Sequence, residues 1–428
     1  MKLPAEFAQR QRLADELHAR PFEAIVTPGA ALSIATLRSG ASEDTRCLKH
    51  LALLSPEVDT TRSDLTHLSV RCTGLRVRWE RHTEFHSFIF IADAGPTALE
   101  DCFDHRWLDA LPAGWLAALP GAMIAATQIA LLPCAGEAPH VRAVAPAFGG
   151  QPLVGNRVAD GAATVVTDWR SVEGVTRFLV FDHALNRRRA GRVAQRLIEL
   201  DTYRMMALLS LPVASTRMSE LAVEEAALAS LMDRFRAASD GDERLLAELT
   251  GLAARVEQAM ANHGSRFSAT RAYRDIVDRR LAELREVVVP GLQPLSAFLD
   301  RRFRPAMDSC AAAAARQTQL SERIASAAQL LQTRADVERE RQNQALLASM
   351  DRRQGMQLRL QETVEGLSVI AMTYYGVGLA GYLLKPLAKA FGQSESLVTM
   401  SAVPIVGLLV LLGMRRVRHR LASEHQAR

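Results

Sequence analysis

Lysine is almost missing from this chain: four lysines stand among 52 basic residues, and arginine supplies the rest. Aromatic residues are scarce at 5%. No basic run is interleaved with aromatics, so the pattern of a nucleic-acid path is absent and no nucleic-acid partner is expected. The five cysteines Cys47, Cys72, Cys102, Cys134 and Cys310 lie far apart, without a CxxC pair or zinc-like spacing. Their odd number and scatter fit reduced thiols in a cytosol better than a disulfide framework. The opening MKLPAEFAQRQRLADELHARPF lacks an apolar core, so no cleavable signal peptide is expected. GxGxxG, Walker and GxSxG strings are all missing, and no cofactor or reaction is expected from motifs.

What the chain does hold is 48% hydrophobic and 23% charged residues over 428 positions, enough for two or three packed domains. The net charge of +5 is modest. Arg and Glu alternate along helical stretches, so most of that charge reads as solvated helix surface. Mean hydropathy is about zero, which points to a local apolar block.

That block lies at the end. Gly366–Leu384 (GLSVIAMTYYGVGLAGYLL) and Ser396–Met414 (SLVTMSAVPIVGLLVLLGM) are each 19 residues without a charge. Each matches the length a helix needs to cross roughly 30 Å of hydrocarbon. Eleven residues, KPLAKAFGQSE, separate them. Arg352, Arg353 and Arg359 precede the first span, and Arg415, Arg416, Arg418 and Arg420 follow the second. The loop between offers only Lys385 and Lys389. The positive-inside rule therefore puts both termini in the cytoplasm and the expected location in a bacterial inner membrane. Gly376, Gly378 and Gly381 thin one side of the first span, as Ser401 and Gly407 do in the second, and small residues let helices approach closely in lipid. Pro404 is expected to kink the second span.

Residues 186–365 read as a helical, coiled-coil-like stalk. One helix is expected from about Asn186 to Leu211, interrupted at Pro212. Leu221, Leu228, Leu231 and Phe235 keep a heptad-like spacing, and Leu245, Leu249, Leu252, Val256 and Ala259 resume it after Asp240-Gly241-Asp242. A third segment runs from about Ser268 to Val289, ended by Pro290-Gly291 and Pro294. After Pro305 no proline follows until Pro386, which predicts one helix running into the first span. Its narrow seam of Leu320, Ile324, Ala327, Leu331 and Val337 demands packing against other helices, sister subunits or both.

Residues 1–185 predict an α+β domain with an antiparallel or mixed sheet and helices on one face. Expected strands are Ala31–Leu37, Leu68–Cys72, Leu75–Arg81, Phe85–Ile91, Met123–Leu131, Ala163–Thr167 and Thr176–Phe181. Expected helices are Glu6–Leu17, Glu43–Leu54 and Trp107–Leu119. With 366–414 as the membrane hairpin and 415–428 as a basic tail, the chain divides into four parts.

Three clusters are candidate sites. In Glu16–Phe22, His18 and Arg20 stand at a helix end, where they can hold an anion or simply complement the helix dipole. In Trp79–His86, an unbroken strand would project Glu80, His82, Glu84 and His86 from one face, with Arg81 on the other. Imidazole with carboxylate suits Zn or Mn, so His82, Glu84 and His86 are the metal candidates. A turn near Thr83 would split the set into ordinary salt bridges, and that is the expectation: no metal. Thr167-Asp168-Trp169-Arg170 predicts a local Asp–Arg brace.

ELHARPF (Glu16–Phe22), WERHTEF (Trp79–Phe85), TRFLVFD (Thr176–Asp182), RRAGRVAQRLIELDTYRMMALL (Arg188–Leu209) and VEGLSVIAMTYYGVGLAGYL (Val364–Leu383) together resemble a family of uncharacterised bacterial membrane-anchored proteins, a domain-of-unknown-function family. The resemblance implies a membrane anchor and no assigned activity. In architecture alone the chain is similar to two-span magnesium-transporter channels. Those carry Gly-Met-Asn after the first span. Here Tyr375-Gly376-Val377-Gly378 lies inside the span and the loop is net basic, which repels cations. The expectation is a membrane-anchored, homo-oligomeric interaction or scaffold protein with a cytosolic head. A two-span cation transporter and a membrane-tethered enzyme are the alternatives.

Overall fold

Short β-branched and aromatic runs separated by glycine turns assemble the first half of the chain into a nine-stranded mixed sheet. The computed structural model describes residues 6, 7, 10, 22–62, 65–237, 241–390 and 395–425. The expected helix Glu6–Leu17 falls almost wholly outside those residues. The strands are β1 (Gly29–Leu37), β2 (His67–Cys72), β3 (Leu75–Arg81), β4 (Phe85–Ala92), β5 (Met123–Pro133), β6 (Val154–Val158), β7 (Ala163–Thr167), β8 (Ser171–Val172) and β9 (Val175–Asp182). Their order is β2-β3-β4-β1-β5-β9-β7-β6, with β8 beside β9. Every pairing is antiparallel except β5 with β9.

Two of these strands escape a reading of the sequence. β6 reads VGNRV, and Gly and Asn are poor strand formers. Its glycine is required by contact: a Cβ on Gly155 would lie 2.2 Å from the Val165 carbonyl oxygen. β8 is a two-residue strand. Conversely, the helix expected over Trp107–Leu119 is a 3-10 turn at Arg106–Ala110 followed by irregular turns. Pro112 and the left-handed Gly114 (φ 76°) stop its propagation.

The sheet is covered on both faces. On one face α1 (Ala41–Ala52) sets Cys47, Leu48 and Leu51 against Trp79, Phe88 and Phe90. The same face at the other end of the sheet carries Val144 of α2 (Val141–Val144) and Phe148 on Leu132, Leu179 and Phe181. On the opposite face α3 (Arg187–Leu208) lays Ala190, Val193 and Leu197 over Ile129, Phe178 and Val180. Side chains of this size stabilise by roughly 1.5–3 kcal/mol each when fully buried. Gly191 makes the approach possible, since a Cβ there would strike the Glu23 carbonyl oxygen at 1.8 Å.

α4 (Ser210–Ala237) begins one residue after the α3 cap. Pro212 therefore sits in the first turn of α4, where a missing N–H costs nothing. α5 (Asp242–Glu283) joins the second and third expected segments into one helix of 42 residues. A short α6 (Leu295–Arg302) precedes α7 (Arg304–Ala390), 87 residues long and unbroken at Gly355 and Gly366. Between α5 and α6 the chain runs extended along β6, bridging Arg157 to Val287 and Val154 to Gln293. Asn156 Oδ1 there accepts the Leu295 N–H at 2.7 Å and caps α6.

By compactness the chain forms two units, 1–328 and 329–428. The boundary expected near residue 185 falls inside the first, because α3–α6 and the start of α7 share the core of the sheet. Within the first unit Leu221, Leu228 and Leu231 of α4, Leu249 and Val256 of α5, and Leu320, Ile324 and Ala327 of α7 are all buried. Arg316 pairs with Glu225, Ser321 with Glu257, and the buried Arg217 with Glu224 and Gln317. The seam of α7 is thus occupied by helices of its own chain, the first of the two partners foreseen. Val337 is exposed and does not extend it.

In the second unit the end of α7 and α8 (Glu395–His425) meet at close range. A Cβ on Gly376 would lie 2.7 Å from Val406, and one on Gly407 3.6 Å from Thr373. Gly378 and Gly381 face open space. Pro404 stands inside α8. Among the described residues one helix is long and apolar enough to cross a membrane.

Candidate functional site

The β3–β4 hairpin holds most of the residues singled out in the sequence, and its geometry separates them. β3 ends at Arg81 and β4 begins at Phe85, so His82, Thr83 and Glu84 form the turn. The His82 N–H donates to the Phe85 carbonyl at 2.9 Å, and the Arg38 N–H to the Glu84 carbonyl at 2.8 Å. This turn breaks the period of two, so Glu80, His82, Glu84 and His86 do not share a face. Three separate polar groups result.

The first lies on the face that carries α3. Arg78 and Glu80 alternate with the apolar Val77 and Trp79 and form a buried pair at 2.5 Å. His82 Nε2 sits 3.4 Å from Glu80, and its ring stacks on Phe85 with centroids 4.2 Å apart. Two charges so far from water persist only when paired and hydrogen-bonded.

Glu84 belongs to the second group, a clasp onto α5. Arg266 Nη1 and Nη2 donate to its two carboxylate oxygens at 2.9 and 3.0 Å, a bidentate fork. The Tyr273 hydroxyl donates to the same carboxylate at 2.6 Å. Burial, reinforced by that carboxylate, pushes the Tyr273 hydroxyl well above its usual range and keeps it protonated. Tyr203 of α3 stacks on Tyr273, centroids 5.6 Å apart, and meets Phe85 edge-on at 5.8 Å. The clasp ties the hairpin tip to α3 and α5.

His86 points to the other face, toward α1. It is fully buried, with Nε2 3.2 Å from Asp44 Oδ1. Arg38 Nε and Nη2 donate to Asp44 at 2.7 and 2.8 Å, and Arg81 Nη1 adds a third bond at 3.1 Å. Burial alone would raise the Asp44 carboxyl, but the two guanidinium groups hold it below the usual range. Glu43, one residue away, accepts the Ser39 N–H at 2.6 Å and hydroxyl at 2.9 Å, and is likewise held low against its burial. Burial depresses His86 to about 4, so its imidazole is neutral near pH 7. Burial also pushes the neighbouring Cys47 thiol up to about 12 and Cys102 to about 11, which keeps both out of thiolate chemistry.

Sequence reasoning missed Arg38 and Asp44, although they supply three of the hydrogen bonds around His86. Neither forms a local motif, since Asp44 approaches the hairpin only through tertiary packing of α1. His18 and Arg20 lie outside the described residues. In Thr167–Arg170 the brace is realised differently from expectation. Asp168 accepts from the Arg170 backbone N–H at 3.2 Å and faces the Arg177 side chain at 3.8 Å. Trp169, at φ 49°, donates through Nε1 to Asp201. Among the described residues no group of three His, Cys, Asp or Glu side chains is placed to hold a metal.

The fold and these groups define a mixed α/β protein: a nine-stranded sheet pinned by ion pairs to its helices, continued by a very long helix. A family profile described as "Protein of unknown function (DUF3422)" matches residues 5–421, and the chain belongs to that family. No curated protein matches it, and no solved structure does.

Proposed function

We propose that this protein is an oligomeric, membrane-anchored interaction protein, with the nine-stranded sheet and its helices forming a cytosolic head. One observation carries the anchor. Leu367, Ile370, Tyr374, Leu379 and Leu383 of α7 are all about seven-tenths exposed or more. A helix apolar all round buries that surface in protein or in lipid. The uncharged Ser396–Met414 follows within a chain length suited to a return span. Arginines flank the pair on the outer sides, which supports cytoplasmic termini in a bacterial inner membrane. Support for self-association comes from Leu346, Met350, Leu360 and Val364, exposed on a part of α7 whose apolar stripe the single chain leaves uncovered.

Alkaline washing of membranes tests the anchor: the protein is expected in the pellet and released only by detergent. Topology is tested in a cysteine-free background with Gln393→Cys and Gln426→Cys and an impermeant thiol reagent. Labelling at position 393 alone is expected in intact spheroplasts, and labelling at 426 would reverse the topology. Mass measurement in detergent decides the oligomer, and a monomer at micromolar concentration would end that part of the reading.

A further inference from the structure

The two borders of the nine-stranded sheet are treated differently. Along β6 the later strip of chain takes up the backbone groups: the Gly155 and Arg157 N–H groups donate to the carbonyls of Gln293 and Val287 at 2.9 and 3.0 Å. At the opposite border β2 pairs, among the described residues, with β3 alone. Cys72 and Leu75 close that hairpin across Thr73-Gly74, and at its far end the Arg81 N–H donates to the Thr66 carbonyl at 2.8 Å. Hydrogen-bonded pairs alternate along an antiparallel ladder. Thr66, Leu68, Val70 and Cys72 therefore turn their N–H and C=O groups to β3, and His67, Ser69 and Arg71 turn theirs outward. These three residues are exposed, and among the described residues no backbone bond reaches their outer side. Lysine, proline and bulges blunt such edges in other sheets; β2 has none of them.

An open edge accepts an extended backbone, and β2 itself meets the demands of its own side chains. Leu68, Val70 and Cys72 lie on the α1 side of the sheet, where Val70 is buried and the other two are half-buried. The alternation puts His67, Ser69 and Arg71 on the other side. A second β2 laid antiparallel about a two-fold axis through Ser69 keeps both sides in register. Ser69 then opposes the partner's Ser69, and His67 opposes the partner's Arg71. Every outward residue is paired, which gives about six hydrogen bonds. Charge complementarity favours the same register. Arg71 lies directly opposite Arg76 of β3, a like-charge pairing. Arg76 is met by Glu23 at 3.0 Å, whereas Arg71 has no acidic partner among the described residues. Glu23 Oε1 also accepts from Ser69 Oγ at 3.4 Å, so its carboxylate stands beside the axis. The partner's Arg71 is diagonal to Ser69, roughly 7–8 Å away, and its guanidinium reaches Glu23.

We propose that β2 is a self-pairing edge, through which two copies of this chain join their sheets about a two-fold axis at Ser69. The contact belongs to the first compact unit. It is separate from the membrane anchor and from the apolar stripe of α7.

The test is oxidative cross-linking of the full chain in a cysteine-free background, run on freshly lysed cells and on the purified protein in detergent. Ser69→Cys is expected to give a covalent dimer, because the Cα atoms of such a pair lie about 5.5 Å apart, within the span of a disulfide. Arg71→Cys alone is expected to give none, since its two copies are four residues out of register, roughly 13 Å along the strand. Adding His67→Cys to it should restore the link. Ser171→Cys, on the exposed β8, controls for chance collisions. No dimer through position 69, or as much through 171 as through 69, overturns the proposal. A Ser69→Cys product that joins a different protein instead of a second copy overturns it as well. Ser69→Pro removes an N–H that points away from β3. Its urea midpoint is expected to hold, while the loss of two intermolecular hydrogen bonds weakens self-association about tenfold. Unweakened association at an unchanged midpoint would count against the edge. An oligomer that persists with no link through 69 would leave the α7 reading standing and refute this one.

Discussion

Replacing Glu84 by alanine removes the carboxylate that joins the β3–β4 turn to α5. Three hydrogen bonds go with it, two from Arg266 and one from Tyr273. Hydrogen bonds to a charged group contribute about 1.5–3 kcal/mol where water is excluded. The Glu84 side chain is 33% exposed and Arg266 21%, so water and salt recover a good part of that. A net loss of about 2 kcal/mol is expected for Glu84→Ala. Glu84→Gln keeps one acceptor and should lose about half as much. All four tryptophans (Trp79, Trp107, Trp115 and Trp169) lie in the first compact unit. Urea unfolding of the full chain in detergent, followed by tryptophan fluorescence, therefore reports that unit alone. The midpoint should move while the slope stays constant. A cycle with Arg266→Met should return a coupling of about 1 kcal/mol, since the two residues touch. If Glu84→Ala unfolds at the wild-type midpoint, or the coupling is zero, the clasp does not hold the hairpin to the helices.

Acid should destabilise the head through His86. The unfolded chain protonates this residue near 6.5 and the folded chain only near about 4, so between those values the unfolded state binds more protons and stability falls as pH falls, by up to about 3 kcal/mol. His86→Leu should flatten that limb, measured by urea midpoints from pH 7 to 4, and an unchanged slope would refute it. Asn156→Ala strands the buried Leu295 N–H and is expected to cost about 1–3 kcal/mol; a thermal midpoint equal to that of the wild type would show that water replaces the cap. Elemental analysis of purified protein is expected to find no stoichiometric zinc or manganese. Metal that disappears in a His82→Ala, His86→Ala double variant would contradict the split hairpin.

Alternation made Leu75–Arg81 and Ala163–Thr167 readable to the residue, because each alternates or runs β-branched between turn signals. Proline spacing likewise announced α7. What stayed hidden was non-local. The pairing of β5 with β9 leaves no periodic trace, and β6 gains its strand character from Val165 and from residues 287–293 across the fold. The His86 environment was half legible: its own strand was correct, but Asp44 and Arg38 reach it from elsewhere in the chain. The seam of α7 was found, although its partner could not be chosen from spacing alone. Leu320 and Ile324 look the same whether a sister chain or α4 and α5 cover them. Only Gly376 of the four glycines in the first apolar stretch meets the second, a distinction set by rotation about the helix axis.

The strip of chain that bridges Arg157 to Val287 and Val154 to Gln293 has a consequence for biosynthesis. β6 is a terminal strand of the sheet, and an unpaired edge is a template for pairing with foreign strands. Its partner emerges about 130 residues later, after α3, α4 and α5 have been made. A nascent chain halted anywhere between β9 and Val287 therefore displays a nearly finished sheet with one side open. Contacts this distant also form slowly once available. Ribosome-stalled chains ending near residue 240 should need holding chaperones and should aggregate on release. Chains carried past Gln293 have closed that border and should not.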